Sequence, residues 1–155
     1  MPELITYKKL IDKADILGMH DTTIIEALNL LYKDGFITYP RTNDEYLPFS
    51  FFENRKIDLE NLIASNYNDL DFISKYASKI NLNLQSSLFS NSNEFNHHAI
   101  IPTCIDKNFD SHNKRFNINY SYNTTTGFIF DDRGDNYIKI YKYIRDNYIE
   151  LFVND

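Results

Sequence analysis

Gly35-Phe36-Ile37-Thr38-Tyr39-Pro40-Arg41-Thr42 is the stretch on which the reading of this chain turns. Gly35 ends a preceding helix and Phe36 to Tyr39 have the character of a short strand. Pro40 forces Tyr39 into an extended conformation, because the proline ring clashes with helical geometry at the residue before it. Residues two apart on an extended chain share a face, so Tyr39 and Arg41 point the same way and Pro40 is turned aside. A guanidinium is a planar fork that grips a phosphodiester at two oxygens, which brings that ester within reach of the tyrosine oxygen. Thr42 and Glu45 have capping-box spacing. This predicts a turn of helix from Thr42 whose free N–H groups face the same anion, with Glu45 partly opposing it. Read alone, Tyr-Pro-Arg also suits a plain surface turn.

A second string alters that balance: His97-His98-Ala99-Ile100-Ile101-Pro102-Thr103. Together with Ile37-Thr38-Tyr39-Pro40-Arg41-Thr42 it resembles the type IA DNA topoisomerases. Their catalytic tyrosine sits in an Ile-Thr-Tyr-x-Arg-Thr signature, and a His-(His or Glu)-Ala-Ile-x-Pro-(Thr or Ser) motif follows it. Proline after the tyrosine and the doubled histidine look most like the topoisomerase III branch. The approach from Ile24 through Leu31-Tyr32-Lys33-Asp34-Gly35 is similar as well, so the resemblance runs from the start of the chain to the region of Ser50 and returns at residues 97–103.

The resemblance implies that Tyr39 and Arg41 are catalytic, and that Arg41, Thr42 and His97 contact DNA. His98 stands where the family alternates between His and Glu, so an essential role for it is not implied. The implied reaction breaks and rejoins one DNA strand through a 5′-phosphotyrosyl intermediate, with strand passage giving relaxation or decatenation. Phenoxide suits this task because it is both a nucleophile toward phosphorus and a good leaving group. A free tyrosine, with a pKa of about 10, is ionised only to the order of 0.1% at neutral pH, so positive surroundings or a base must assist.

The resemblance also implies DNA, preferably single-stranded, as partner, together with other domains of the same polypeptide. Mg2+ would be held by an acidic Toprim domain. No Asp-x-Asp-x-Glu string occurs in the 155 residues. The expectation is therefore that residues 1–155 form one domain, the tyrosine-bearing domain of a longer enzyme, inactive by itself. As a domain carried on a neighbouring gate, it should have its two ends close in space, with the Tyr39 surface away from them. His97 and Tyr39 should share one surface.

Composition bounds these readings. The net charge of −6 has the wrong sign for a free-standing nucleic-acid binder, so DNA contact must be local. A single cysteine excludes an internal disulfide, and no spaced His or Cys set suggests a metal site. No signal peptide or membrane-length apolar run is present, which predicts a cytoplasmic protein without a membrane partner. A non-catalytic winged-helix nucleic-acid-binding module or a protein-interaction module remains the alternative. The first calls for a basic recognition helix that is not seen; the acidic charge and the many tyrosines suit the second.

Periodicity predicts an α+β, mostly helical fold: a winged-helix-like unit with short strands and a small β-hairpin. One helix is expected from Thr6 to Leu17, capped by Thr6 and ended by Gly18. A second opens at Asp21 or at the Thr23-x-x-Glu26 box and stops at Gly35, with Ile24, Leu28, Leu31 and Tyr32 inward. Ser50-x-x-Glu53 introduces a short helix through Leu59, Leu62 and Ile63. Another runs from Asp69 to Ile80 with Leu70, Ile73, Tyr76, Ala77 and Ile80 inward. Residues 81–96 read as a loop, Ile100 to Thr103 as a buried strand, and residues 115–130 as a hairpin. A last helix from Asp135 buries Tyr137, Tyr141, Ile144, Tyr148 and Leu151.

Overall fold

The longest helices of this computed structural model, α3 (Asp21–Lys33) and α7 (Arg133–Ile149), pack against each other. The structure describes residues 3–84, 87–90, 97–105, 107–109 and 133–153. Ile24, Leu28 and Leu31 of α3 and Tyr137, Ile140, Tyr141 and Ile144 of α7 are all buried in one core cluster, as their helical spacing requires. Each such side chain taken out of water contributes roughly 1.5–3 kcal/mol. Of the two starts expected for α3, Asp21 is the one used. Its end is a Schellman turn: Gly35 has φ +83, Gly35 N–H bonds Tyr32 O at 3.0 Å and Phe36 N–H bonds Leu31 O at 3.0 Å.

The helix expected from Thr6 to Leu17 is divided into α1 (Tyr7–Asp12) and α2 (Ala14–Leu17). Lys13, at φ −95 and ψ 10, departs from helical geometry and shares its N–H between Lys9 O and Leu10 O. The interruption is one residue long, so Leu10, Ala14 and Leu17 still face the core. Thr6 caps α1 by accepting from Lys9 N–H, and Gly18 ends α2 in the left-handed region.

A second core cluster gathers Leu59 and Leu62 of α5 (Arg55–Ser65), Phe72 and Tyr76 of α6 (Leu70–Tyr76), and Tyr148, Ile149 and Phe152 at the end of α7 and the 3₁₀ turn after it. Asp69 caps α6 by accepting from Phe72 N–H, and a 3₁₀ turn, Ala77–Lys79, completes the helix expected to reach Ile80. The inward residue near its start is Phe72, at 2% exposure. Leu70 was expected inward and is 73% exposed, because the Asp69 cap sets the phase of the first turn. Helix α4 (Phe49–Glu53) begins directly after Pro48, so the Ser50-x-x-Glu53 box does not open it. All five residues expected inward on and beyond α7 are buried.

Strands are short. β1 (Leu47–Pro48) pairs in parallel with β2 (Phe89–Ser90), in the register Leu47 to Phe89 and Pro48 to Ser90. The segment expected to be only a loop thus holds a strand in its described part. The expected strands Phe36–Tyr39 and Ile100–Thr103 meet through an antiparallel bridge, Ile37 to Pro102, and Ile5 bridges Ile100. Ala99 and Ile101 face the second cluster and Ile100 the first, so an extended chain with a two-residue period forms the wall between the two. Leu4 and Ile5 divide in the same way. Leu4 and Phe152 both belong to the second cluster.

The fold is mostly helical with short strands, as expected. Among the described residues α1–α3 lead into the Tyr39 segment, and this arrangement does not by itself establish the expected winged-helix-like unit. The hairpin expected at 115–130 lies outside the described residues.

Candidate functional site

The two sequence motifs are laced together by backbone and threonine hydrogen bonds. Thr38 N–H donates to Ile101 O at 2.9 Å and Thr103 N–H to Phe36 O at 3.0 Å. Ile101 N–H donates to Thr38 Oγ1 at 3.0 Å, and Thr103 Oγ1 donates to Gly35 O at 2.6 Å. Pro102 has no N–H to continue a ladder, and the two threonine side chains supply the additional ties on either side of it.

From this frame the chain leaves extended, and its residues alternate. Tyr39 is 39% exposed and Arg41 is exposed, while Pro40 is buried and Thr42 is 5% exposed. Tyr39 and Arg41 are thus both turned to the outside, with Pro40 and Thr42 inward. The Tyr39 ring lies against the His97 ring, centroids 4.8 Å apart and planes 22° apart. Residues far apart in sequence therefore meet on one surface. Tyr32, on the last turn of α3, meets Tyr39 edge-to-face at 5.7 Å and 82°. Arg41 forms no hydrogen bond or ion pair with any described residue, so its five donors are available to a ligand.

Thr42 is placed differently from the expectation. Its Oγ1 accepts from Asp44 N–H at 3.2 Å, and its carbonyl accepts from Tyr7 N–H at 2.9 Å. The helical turn expected from Thr42 to Glu45 does not form. Asn43 Oδ1 accepts from Lys8 N–H at 2.9 Å and Glu45 pairs with Lys9 at 3.1 Å, so these side chains serve the start of α1 instead of a helix of their own. Tyr7, Lys8 and Lys9 have their otherwise orphaned N–H groups filled by Thr42, Asn43 and Thr6. The chain entering α1 therefore runs beside Thr42 and Asn43.

His97 is fixed through its backbone: Tyr46 OH donates to His97 O, and Ala99 N–H donates to Tyr46 O at 3.0 Å. The adjacent histidine has other neighbours. His98 Nδ1 lies 2.7 Å from Ala99 O, which can only accept, so that nitrogen carries the proton, and the ring packs edge-on against Phe51 at 5.0 Å.

The arrangement offers an accessible phenol, an imidazole covering one face of its ring and an unengaged guanidinium two residues on. A stacked imidazole does not direct a nitrogen along the phenol O–H. In this geometry His97 can act on Tyr39 or a bound anion by charge when protonated. Among the described residues no group of three or more His, Cys, Asp or Glu side chains could hold a metal ion. These residues do not fit a magnesium site, and the chemistry of this surface is derived without one. No helix among the described residues is long and apolar enough to cross a membrane.

Tyr32 was not legible as part of the site, since its place four residues after Leu28 assigned it to the inner face. It is 48% exposed. The available signal was the glycine at 35, whose turn folds the following chain back over the last turn of α3.

A family model described as DNA topoisomerase matches residues 1–155, the whole of the given chain. No curated protein matches it.

Proposed function

This chain belongs to the DNA topoisomerase family, and from that premise we propose that Tyr39 is the nucleophile of a type IA, topoisomerase III-like enzyme. In the reaction the Tyr39 oxygen loses its proton and attacks a backbone phosphorus. The P–O3′ bond breaks, the departing 3′ oxygen takes up a proton, and the 5′ phosphate remains esterified to tyrosine. Rejoining is the reverse, so the free energy of the ester is retained and no external energy source is needed. Arg41 places positive charge on the non-bridging oxygens as charge builds on them. His97, against the Tyr39 ring, adds charge next to the phenol and touches the same phosphate. Thr42 acts from behind, holding the chain that presents Arg41. DNA, in single-stranded form, is the substrate.

The observation that carries this reading is the outward pairing of Tyr39 with His97 beside an Arg41 that has no partner among the described residues. Arginines with no structural task on the fold and two residues from an exposed tyrosine fit anion binding better than stability.

The 155 residues make up the tyrosine-bearing domain of a longer cytoplasmic polypeptide. Magnesium and the acidic groups that protonate the 3′ oxygen are supplied by another domain of it. The test is a labelled single-stranded oligonucleotide incubated with the full-length polypeptide and magnesium, then denatured. A covalent band is expected for the wild type and none for Tyr39→Phe. Arg41→Lys should bind DNA but cleave slowly, because an ammonium cannot reproduce two-point contact. The 155-residue chain alone should give no band. A full-strength band from Tyr39→Phe would end the proposal.

A further inference from the structure

We infer that Tyr32 is a positioning residue for Tyr39, a role that rests on the reading of Tyr39 as nucleophile. A tyrosine on an extended, exposed segment has free side-chain torsions, yet attack on phosphorus needs its oxygen held within about 3–3.5 Å of the target and in line. The Tyr39 ring meets two surfaces. His97 lies almost parallel to it, at 22°, and Tyr32 almost perpendicular, at 82°. A parallel neighbour limits tilting but permits sliding and rotation in the plane. A perpendicular neighbour blocks that remaining freedom. Edge-to-face contact also sets the positive rim of one ring against the negative face of the other, which favours one relative orientation.

Tyr32 is suited to the task by where it is mounted. It sits on the last turn of α3, at the edge of the face that Leu28 and Leu31 fix in the core, at 1% and 0% exposure. Gly35, at φ +83, then returns the chain so that Tyr39 passes over that turn. Tyr32 itself is 48% exposed, so its ring adds little to the core. Its hydroxyl has no hydrogen bond to a described residue, so the ring and not the oxygen makes the contact.

The experiment uses the full-length polypeptide and compares Tyr32→Phe, Tyr32→Leu and Tyr32→Ala with the wild type. The readouts are the single-turnover rate of covalent adduct formation on a labelled single-stranded oligonucleotide, and the affinity for that oligonucleotide measured in a Tyr39→Phe background. Tyr32→Phe should cleave within about twofold of wild type, while Tyr32→Ala and Tyr32→Leu should cleave about 3- to 10-fold more slowly with affinity unchanged. Rescue by phenylalanine, with affinity constant, separates positioning of Tyr39 from DNA contact and from a general loss of fold. If Tyr32→Ala and Tyr32→Leu cleave at the wild-type rate while Tyr39→Phe forms no adduct, the inference is wrong and the nucleophile stands. A parallel fall in affinity makes Tyr32 a DNA contact and also overturns it. An adduct from Tyr39→Phe removes the reading on which the inference rests.

Discussion

Arg145 and Arg41 each stand near a tyrosine, and they lie at opposite extremes of burial and partnership. Arg145 is 2% exposed; its Nε donates to Asp146 Oδ1 at 2.9 Å, its Nη1 donates to Asp69 Oδ2 at 2.9 Å and Asn66 Oδ1 at 3.1 Å, and the guanidinium lies 3.9 Å over the Phe72 ring. Tyr141 beside it accepts from Asn66 Nδ2 at 2.9 Å, and burial pushes its hydroxyl up to about 12. The Arg145 guanidinium and Tyr141 are buried, and their bonds to Asn66 and Asp69 join α7 to the end of α5 and the start of α6. Around Tyr39 the same residue types face outward, and Arg41 is left without a described partner. A charge already neutralised inside the fold can hold helices together but cannot receive an anion. One that the fold leaves unengaged adds nothing to stability and is free to bind.

The sharpest way to break that contrast is to truncate both arginines. Arg145→Ala removes a buried guanidinium from Asp146 and Asn66 and leaves Asp69 with Lys142 and the Phe72 N–H alone, and should cost about 3 kcal/mol of unfolding free energy. Arg41→Ala should stay within about 0.5 kcal/mol of wild type. Urea denaturation of the two variants decides it, and equal losses would erase the distinction.

Asp69 sharpens the buried side of the comparison. Burial alone would raise its carboxyl, but the Phe72 N–H and the Arg145 guanidinium outweigh burial and hold it below the ordinary carboxylate value. A lowered folded pKa means stability that is full above the unfolded value of about 3.9 and is lost as pH falls through the folded one. Asp146 has the opposite sign, since burial raises it against the pull of Arg145. Protonating Asp146 on acidification therefore relieves a cost. Asp69→Asn keeps the α6 cap, loses the charge, and should destabilise by about 1.5–3 kcal/mol at neutral pH. Between pH 7 and about pH 3 the variant should lose less stability than wild type.

Gly35→Ala probes the turn that supports the exposed side. The added methyl would meet only Ile105 Cδ1, at 4.0 Å, so the cost is conformational, about 1–2 kcal/mol for φ +83 in an L-residue. Thermal unfolding reads the loss. The smallest expected signal is a null one at Cys104. Burial pushes its thiol far above the ordinary value, so the native protein should react with a thiol reagent only at its rate of opening, and fully once unfolded.

What could be read from sequence was what local chemistry decides. The Thr6 cap, the stop at Gly35, the apolar face of α7 and the outward placing of Tyr39 and Arg41 around an inward Pro40 depend on neighbours within a few residues. Long-range competition hid the rest. Thr42 and Glu45 have the spacing of a capping box, but Tyr7 N–H and Lys9 claim them first. Strands of two residues, such as Leu47–Pro48 against Phe89–Ser90, carry no periodicity to detect. The exposure of Tyr32 follows from the reversal at Gly35, four residues before Tyr39, and the Arg145 network joins α7 to partners 76 and 79 positions away in sequence. Of the proposed site, the motifs singled out Tyr39, Arg41 and His97, whereas the inward turn of Thr42 and the contact of Tyr32 arise from long-range packing.

The bonds of the incoming chain have a mechanical consequence. Ile100 N–H holds Ile5 O at 2.8 Å, and two residues later Tyr7 N–H holds Thr42 O at 2.9 Å. A pull on the chain ahead of Ile5 is therefore passed on to the histidine motif and the tyrosine motif, in addition to the ties of Glu3 to Lys13 and of Leu4 O to Lys9. The segment around Ile5 to Tyr7 thus ties the strings that carry His97 and Tyr39 to each other, and displacing it would load both at once.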